Sequence, residues 1–160
     1  MADLTLSSAL PDTSFLLDVH ASDWREALRL AGQGLVASGF TTPAYTDEMI
    51  TSVEEHGPYI VISPGFALAH SRPSPAVLAT GMSWVRLVEP VNFNSPNDPV
   101  RLIAGLAAKD EQEHLQVMAA LAGALRNPAS RAELDRAPTP AAIRALLDPT
   151  TNDTTTGLEE

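Results

Sequence analysis

The apolar positions along this chain change period repeatedly, from every second residue to every third or fourth, and so predict alternating strands and helices. Residues 1–13 are weakly patterned, and we expect a surface lead-in there. The mostly apolar run Ser14–Val19 predicts a first strand. Apolar residues at helical spacing then predict a helix that Ser22 or Asp23 caps and that runs through Ser38.

The next predicted helix is bounded by clear start and stop signals. Thr42-Pro43 opens it, and His56-Gly57-Pro58 ends it with a C-terminal glycine followed by a proline. Short apolar runs then predict strands over Tyr59–Ser63 and Phe66–His70. The turn Pro64-Gly65 separates them.

Longer strands are predicted in the second half of the chain. Met82–Glu89 predicts one that Pro90 ends, because a proline cannot donate to a sheet, although residues 91–94 leave an extension open. Val100–Ala108 is the most apolar segment. We interpret it as a buried central strand, although its alanines and leucines leave a helix open. Asp110 then caps a predicted helix, and Glu113 completes a pattern like a capping box.

Helices complete the predicted fold. The helix after Asp110 ends at Asn127-Pro128, and shorter helices follow around Ala129–Arg136 and from Thr139-Pro140 to Leu147. Intermixed strands and helices predict an α/β fold, with a mixed sheet of about five strands sandwiched between helices. We expect one domain over residues 1–148. The Thr-rich residues 149–160 have almost nothing to bury, and we expect them to form a disordered tail.

Composition and charge exclude several classes of function. The formal net charge is −10, with 20 acidic residues against 10 basic ones and no basic cluster, which argues against nucleic acid or an anionic membrane as partner. The absence of cysteine excludes disulfides, thiolate metal sites and a cysteine nucleophile. No apolar run approaches the roughly 20 residues of a membrane span. The start Met1-Ala2-Asp3-Leu4 does not resemble a signal peptide, so we expect a cytoplasmic protein.

Two histidines are the candidate chemical groups. His70 ends a predicted strand, and Arg72 follows it in a loop with a guanidinium suited to phosphate oxygens. His114 lies in the first turn of a predicted helix, where backbone N–H groups and the helix dipole favour a nearby anion. Imidazole is a nucleophile near physiological pH without a metal. The same residues are compatible with an ordinary surface histidine at His70 and a core histidine at His114.

Other catalytic classes lack their residues. Four scattered histidines without cysteine do not supply the spaced ligand set of a zinc site. There is no Gly-x-Ser-x-Gly elbow for a serine hydrolase and no Gly-x-Gly-x-x-Gly after the first predicted strand. Asp98, between Asn97 and Pro99, is better interpreted as a turn-former than as a catalytic acid.

Two separated blocks of the chain form a recognisable pattern. The first block comprises Gly57-Pro58-Tyr59-Ile60-Val61, Pro64, Ala67-Leu68, His70 and Arg72-Pro73. The second comprises Asn97-Asp98-Pro99-Val100, Leu106-Ala107-Ala108, Asp110 and His114-Leu115. Together they resemble enzyme IIA of the phosphoenolpyruvate-dependent sugar phosphotransferase system, in the mannitol/fructose superfamily and most of all in its L-ascorbate type. The likeness extends in order over about residues 14–147.

The resemblance implies a role for each matching residue. His70 corresponds to the histidine that accepts phosphate from the histidine carrier protein HPr, and His114 to the second histidine, which supports the phosphoryl group. Arg72 matches a residue of the ascorbate-type segment, and we infer that it binds phosphate. Near Ser52 the chain has no counterpart of the arginine that mannitol-type members use.

The implied partners are phospho-HPr as donor, a cytoplasmic IIB component as acceptor and, through IIB, a membrane IIC component. The resemblance implies no metal or nucleotide cofactor. We expect HPr to dock around His70, with Tyr59, Phe66, Leu68 and Pro73 as candidate contacts. A regulatory IIA-like module, whose partner binding depends on His70 phosphorylation, is the alternative to a transport component.

Overall fold

Five strands form one mixed sheet in the computed structural model of the chain, which describes residues 6, 8–126 and 128–147. The strands are β1 (Phe15–Val19), β2 (Val61–Ser63), β3 (Phe66–Ala69), β4 (Gly81–Val91) and β5 (Val100–Ala107). Their order in the sheet is β1-β4-β5-β3-β2. β1 pairs in parallel with β4 and β3 with β5, whereas β4 with β5 and β2 with β3 are antiparallel. The predicted mixed sheet is confirmed.

Helices cover both faces of this sheet. They are α1 (Trp24–Ala37), α2 (Pro43–His56), α3 (Glu111–Leu125), α4 (Pro128–Leu134) and α5 (Pro140–Leu147). One apolar cluster joins α1 and α2 to one face of the sheet, and a second joins α3, α4 and α5 to the other. The predicted sandwich is therefore confirmed. The predicted tail, residues 149–160, lies outside the described residues.

Strand β5 shows why the most apolar segment is a strand and not a helix. Leu102 and Ala104 face the cluster of α3–α5, whereas Ile103 between them faces the cluster of α1 and α2. Both faces of a central strand are covered, so apolar residues run without interruption and the alternation of period two is hidden in the sequence. β3 has the same pattern over Phe66–Ala69, which is buried throughout.

Two predictions need correction. The predicted strand end at Pro90 is wrong, and of the possible extension over residues 91–94 only Val91 belongs to β4. The register with β5 shifts between Arg86 and Val91, so the proline falls where the regular ladder is interrupted. The lead-in is also less exposed than expected. Leu6, Ala9 and Leu10 are buried against the cluster of α3–α5, and the Ala9 carbonyl accepts from the Met82 N–H at 2.9 Å.

α1 and α2 pack closely against each other on one face of the sheet. The Asp23 carboxylate caps α1 by accepting from the Glu26 N–H at 2.9 Å, so Asp23 and not Ser22 is the N-cap. Gly32, inside α1, lies so near α2 that a Cβ there would come within 2.0 Å of Thr46 Oγ1. The glycine lowers helix propensity but allows this approach.

Candidate functional site

His70 lies one residue beyond the end of β3, where the chain leaves the sheet. The strand sets its position, because the preceding Ala69 is paired with Gly105 of β5. The His70 ring is half-buried, and its Nδ1 lies 2.7 Å from the Leu68 carbonyl oxygen. A carbonyl only accepts hydrogen bonds, so this contact assigns the proton to Nδ1. Nε2 then keeps its lone pair.

His114 lies in the first turn of α3, which is held from two sides. The Asp110 carboxylate caps the helix by accepting from the Glu113 N–H at 2.8 Å, as the sequence predicted. The Glu113 carboxylate accepts a hydrogen bond from the Thr80 hydroxyl, which itself accepts from the Lys109 N–H at 2.9 Å. The start of α3 is thereby tied to the loop before β4.

The two histidine rings are in contact, although 43 positions separate His70 from His114 in the sequence. Their centroids are 5.2 Å apart, and the ring planes are inclined at 77°. The Tyr59 ring also contacts His70, edge-on, with centroids 5.4 Å apart and planes inclined at 87°. The Tyr59 hydroxyl is hydrogen-bonded to that of Ser52 at 2.8 Å. The predicted convergence of the two imidazoles is therefore confirmed.

A cavity of about 500 Å³ opens over these rings. Arg72 lies at its edge with an exposed side chain, and Glu111 brings a carboxylate to the same cavity. Among the described residues, Arg72 has no hydrogen bond or ion pair, so its guanidinium is available to a ligand. The structure thus brings His70, His114 and Arg72 to one cavity.

Burial keeps both imidazoles neutral further into the acid range than usual. It lowers the pKa of His70 below the ordinary 6.5, the Leu68 carbonyl partly opposes the shift, and His114 adds to it. Burial also lowers the pKa of His114, and the nearby Glu111 carboxylate opposes that shift. A neutral ring with a free Nε2 is what nucleophilic attack requires.

Tyr45 of α2 contacts the backbone beside His70 from inside the protein. Its buried hydroxyl accepts from the Ser71 N–H at 2.9 Å and donates to the Leu106 carbonyl at 2.8 Å. Burial raises the pKa of Tyr45 above its ordinary value, so the hydroxyl stays protonated. Tyr45 belongs to the apolar cluster between α2 and the sheet, and the sequence did not indicate a partner for its hydroxyl.

Some surroundings of the site could not be identified from the sequence. Phe66 and Leu68 are fully buried, so the expectation that they form part of an exposed docking rim is wrong. Tyr59 and Leu115 are the large apolar residues exposed at the cavity, with 43% and 66% of their surface accessible. The sequence could have indicated that Tyr45 makes a hydrogen bond, because the hydroxyl of a tyrosine on the buried face of a helix usually finds a polar partner.

In the part of the chain that the structure describes, no helix combines the length and the apolar character needed to cross a membrane. Within the same residues, no three His, Asp or Glu side chains are grouped so that they could hold a metal ion. Asp98 accepts from the N–H groups of Phe93 and Ser95, both at 2.9 Å, which agrees with its interpretation as a turn-former.

A mixed sheet between helices, with two histidines in contact at one cavity, defines a class of phosphoryl-transfer domain. A family model shows which family of this class the chain matches. The model "Phosphoenolpyruvate-dependent sugar phosphotransferase system, EIIA 2" matches residues 8–149. The chain belongs to this family. It is accordingly a phosphotransferase component of a sugar phosphotransferase system.

Individual relatives agree with this assignment. The chain is 39% identical over 111 residues to the ascorbate-specific PTS system EIIA component of Escherichia coli, a match that covers 69% of this chain and 72% of that protein. The crystal structure of a putative PTS IIA from Streptococcus mutans superposes with a TM-score of 0.83 at 31% identity, covering 98% of this chain and all of the other.

A second similar structure is a chain of the complex of mannitol enzyme IIA with phosphorylated mannitol enzyme IIB from Escherichia coli. That chain superposes with a TM-score of 0.76 at 27% identity, and the match covers 87% of this chain and 96% of the other. The fold predicted from the sequence and the family resemblance are both confirmed by these comparisons.

Proposed function

We propose that the protein accepts a phosphoryl group from phospho-HPr on Nε2 of His70 and passes it to a cytoplasmic IIB component, which serves a membrane IIC component. The observation that carries the proposal is the arrangement of His70. Its Nδ1–H is bonded to the Leu68 carbonyl at 2.7 Å, and the His114 ring is in contact with it at a cavity open to a partner.

The transfer is a displacement at phosphorus. The Nε2 lone pair of His70 forms the new N–P bond while the N–P bond to the donor histidine breaks, and the electron pair of the broken bond stays on the donor ring. The His70 ring gains positive charge as the bond forms. The Leu68 carbonyl stabilises that charge by accepting from Nδ1–H, and no proton has to leave.

The phosphoryl oxygens need positive or hydrogen-bonding groups around them. The His114 ring lies next to His70, and Arg72 presents a guanidinium at the cavity edge. Positioning and charge stabilisation account for most of phosphoryl-transfer catalysis, so these two side chains are the proposed phosphate ligands. Burial lowers the pKa of His114 and the Glu111 carboxylate only partly opposes that shift, so the proposed role of His114 is that of a neutral ring beside the phosphoryl group.

The proposed substrate system is of the ascorbate type. Support comes from the 39% identity to the ascorbate-specific relative. A IIB partner is supported by the complex known for the mannitol relative, and the exposed Tyr59 and Leu115 beside the histidines offer an apolar contact surface for either partner.

The test is incubation with phospho-HPr, followed by intact-mass analysis and by mapping of the modified residue. We expect one acid-labile phosphoryl group on His70 and none on the His70→Ala variant. His20→Ala is the matched control, because His20 is an exposed histidine that does not line the cavity. Failure of the wild-type protein to take up phosphate, or uptake by His70→Ala, would overturn the proposal.

A second step tests the acceptor. The phosphorylated protein is mixed with a purified ascorbate-type IIB component, and loss of phosphate from His70 is followed with time. Transfer to IIB supports a transport component. A stable phosphoprotein whose binding to other proteins depends on phosphorylation would instead indicate a regulatory module.

A further inference from the structure

The hydroxyl of Tyr45 occupies the place where one more hydrogen bond between β3 and β5 would form. These strands are parallel, with Ala69 opposite Gly105. The Leu102 N–H of β5 donates to the Gly65 carbonyl at 3.2 Å. The Leu68 N–H, in contrast, donates to the Ile60 carbonyl at 2.8 Å, on the side of β3 that faces β2. Odd-numbered residues of this segment therefore pair with β5, and even-numbered ones with the β2 side.

The same register can be extended beyond the end of β3. Two residues past the pair of Ala69 and Gly105, Ser71 would be opposite Ala107, and a parallel ladder would direct the Ser71 N–H to the Leu106 carbonyl. In the structure, Tyr45 Oη lies between these two groups. It accepts from the Ser71 N–H at 2.9 Å and donates to the Leu106 carbonyl at 2.8 Å, which is a shorter contact than the 3.2 Å to its other acceptor, the Ser71 carbonyl.

One direct ladder bond is thus replaced by two bonds through a side-chain oxygen. The backbones of β3 and β5 must separate at this point to admit the oxygen atom. His70 lies between the last regular pair, at Ala69, and the bridged residue, Ser71. The bridge therefore holds the backbone of the residue that directly follows His70.

We propose that Tyr45 is a positioning residue for phosphoryl transfer, because its hydroxyl ends the β3–β5 pairing at Ala69 and sets the direction of the His70 ring. The inference rests on the function proposed above for His70. Tyr45 does not touch the phosphoryl group. It acts through the backbone of Ser71 and through the separation of the two strands.

Removing only the hydroxyl takes a hydrogen bond from the buried Leu106 carbonyl and from the half-buried Ser71 N–H. A phenylalanine would keep the apolar contacts of Tyr45 in α2, but the Ser71 N–H and the Leu106 carbonyl would both lose their bond. The chain could respond by closing the gap into a direct Ser71–Leu106 bond or by loosening at Ser71. Either response moves His70 away from its present orientation, and so away from the geometry that transfer requires.

The test compares Tyr45→Phe with Ser83→Ala in the full chain. Ser83 is a matched control, since its buried hydroxyl also donates to a backbone carbonyl, that of Ala31 at 2.7 Å, but between β4 and α1. Both variants should lower the urea midpoint of unfolding. At a temperature where both are folded, Tyr45→Phe should take phosphate from phospho-HPr about tenfold or more slowly. Ser83→Ala should keep the wild-type rate.

Readouts on the unphosphorylated protein separate this inference from the proposed function. In ¹⁵N spectra, Tyr45→Phe should change the ratio of His70 tautomers and raise the titration midpoint of the ring toward its ordinary value. The Ser71 amide should change its rate of hydrogen exchange. If the wild-type protein takes up no phosphate, the proposed function fails, and these spectra still test Tyr45.

An unchanged His70 spectrum together with a wild-type transfer rate in Tyr45→Phe would overturn the inference. If Tyr45→Phe does not fold, the wild-type protein supplies the decisive measurement. The bridge predicts a slowly exchanging Tyr45 hydroxyl proton with a nuclear Overhauser contact to the Ser71 amide proton. Absence of that contact would exclude the bridge.

Discussion

The Nδ1 atom of His70 lies 2.7 Å from the main-chain carbonyl of Leu68, two residues earlier in the chain. The acceptor belongs to β3, so the strand that carries the histidine also orients its ring. The same contact excludes Nδ1 from the nucleophilic role, because that nitrogen carries a proton and faces the protein. The chemistry of the site is therefore directed to Nε2.

The first prediction concerns the nitrogen that is phosphorylated. We expect the Nε2 isomer of phosphohistidine at His70, which heteronuclear ¹H–¹⁵N–³¹P correlation spectra distinguish from the Nδ1 isomer. Detection of phosphorus on Nδ1 would contradict the assigned tautomer, because Nδ1 would first have to break its bond to Leu68.

The second prediction concerns His114. Replacing it by alanine removes a ring that lies 5.2 Å from that of His70, and we expect phosphoryl uptake to slow about a hundredfold. Stability should change little, because the His114 ring is only partly buried. Quench-flow measurement of transfer from phospho-HPr, with His20→Ala as control, checks this. A wild-type rate in His114→Ala would remove His114 from the proposed mechanism.

The third prediction concerns the charge of Arg72. The side chain is exposed and borders the cavity, so Arg72→Gln should leave the unfolding midpoint unchanged while slowing phosphoryl uptake roughly tenfold. Arg72→Lys keeps the charge but loses the fork of donors, and its rate should lie between those of Gln and wild type. Equal rates for all three proteins would show that Arg72 does not bind the phosphoryl group.

The fourth prediction is a pH dependence of stability. Burial lowers the pKa of folded His70 below its unfolded value of 6.5, so the unfolded chain binds more protons in the range between the two values. Above that range, the free energy of unfolding contains the full contribution of neutral His70. As the pH falls below about 6.5 the free energy of unfolding decreases, and the decrease stops once His70 is protonated in the folded state as well.

Urea unfolding of wild type and His70→Gln at several pH values checks this fourth prediction. The difference in free energy between the two proteins should depend on pH in the acid range and become constant above about pH 7. A difference that does not vary with pH would mean that His70 is protonated equally in both states, and so is not held neutral by burial.

The fifth prediction compares two helix glycines. Gly32 of α1 contacts Thr46, and an alanine Cβ there would lie 2.8 Å from Thr46 Cβ, so Gly32→Ala should cost about 1–3 kcal/mol of stability. Gly123 of α3 is exposed, and a Cβ there would meet nothing within 4 Å. Gly123→Ala should stabilise by about 0.5–1 kcal/mol, since alanine favours the helix. Denaturant unfolding measures both. Stabilisation by Gly32→Ala would contradict the described contact of α1 with α2.

Local signals predicted most of the elements because each depends on residues near one another in the chain. Asp23 and Asp110 each cap the helix that follows, and Gly57 ends α2, as their sequence contexts indicated. The prediction was wrong at Pro90 because the interruption of the ladder that accommodates a proline there arises from the register of β4 against β5. It was wrong for Leu6 and Leu10 because their burial depends on helices at the other end of the chain.

The sequence by itself determined the elements, the two candidate histidines and, through the resemblance of two separated blocks, the family. The tertiary structure decided how these residues meet: the contact of His70 with His114, the tautomer set by Leu68 and the bridge made by Tyr45. The physical reason is distance along the chain. Capping and periodicity act over a few residues, whereas the site joins β3, α2 and α3 through a sheet register that no local pattern encodes.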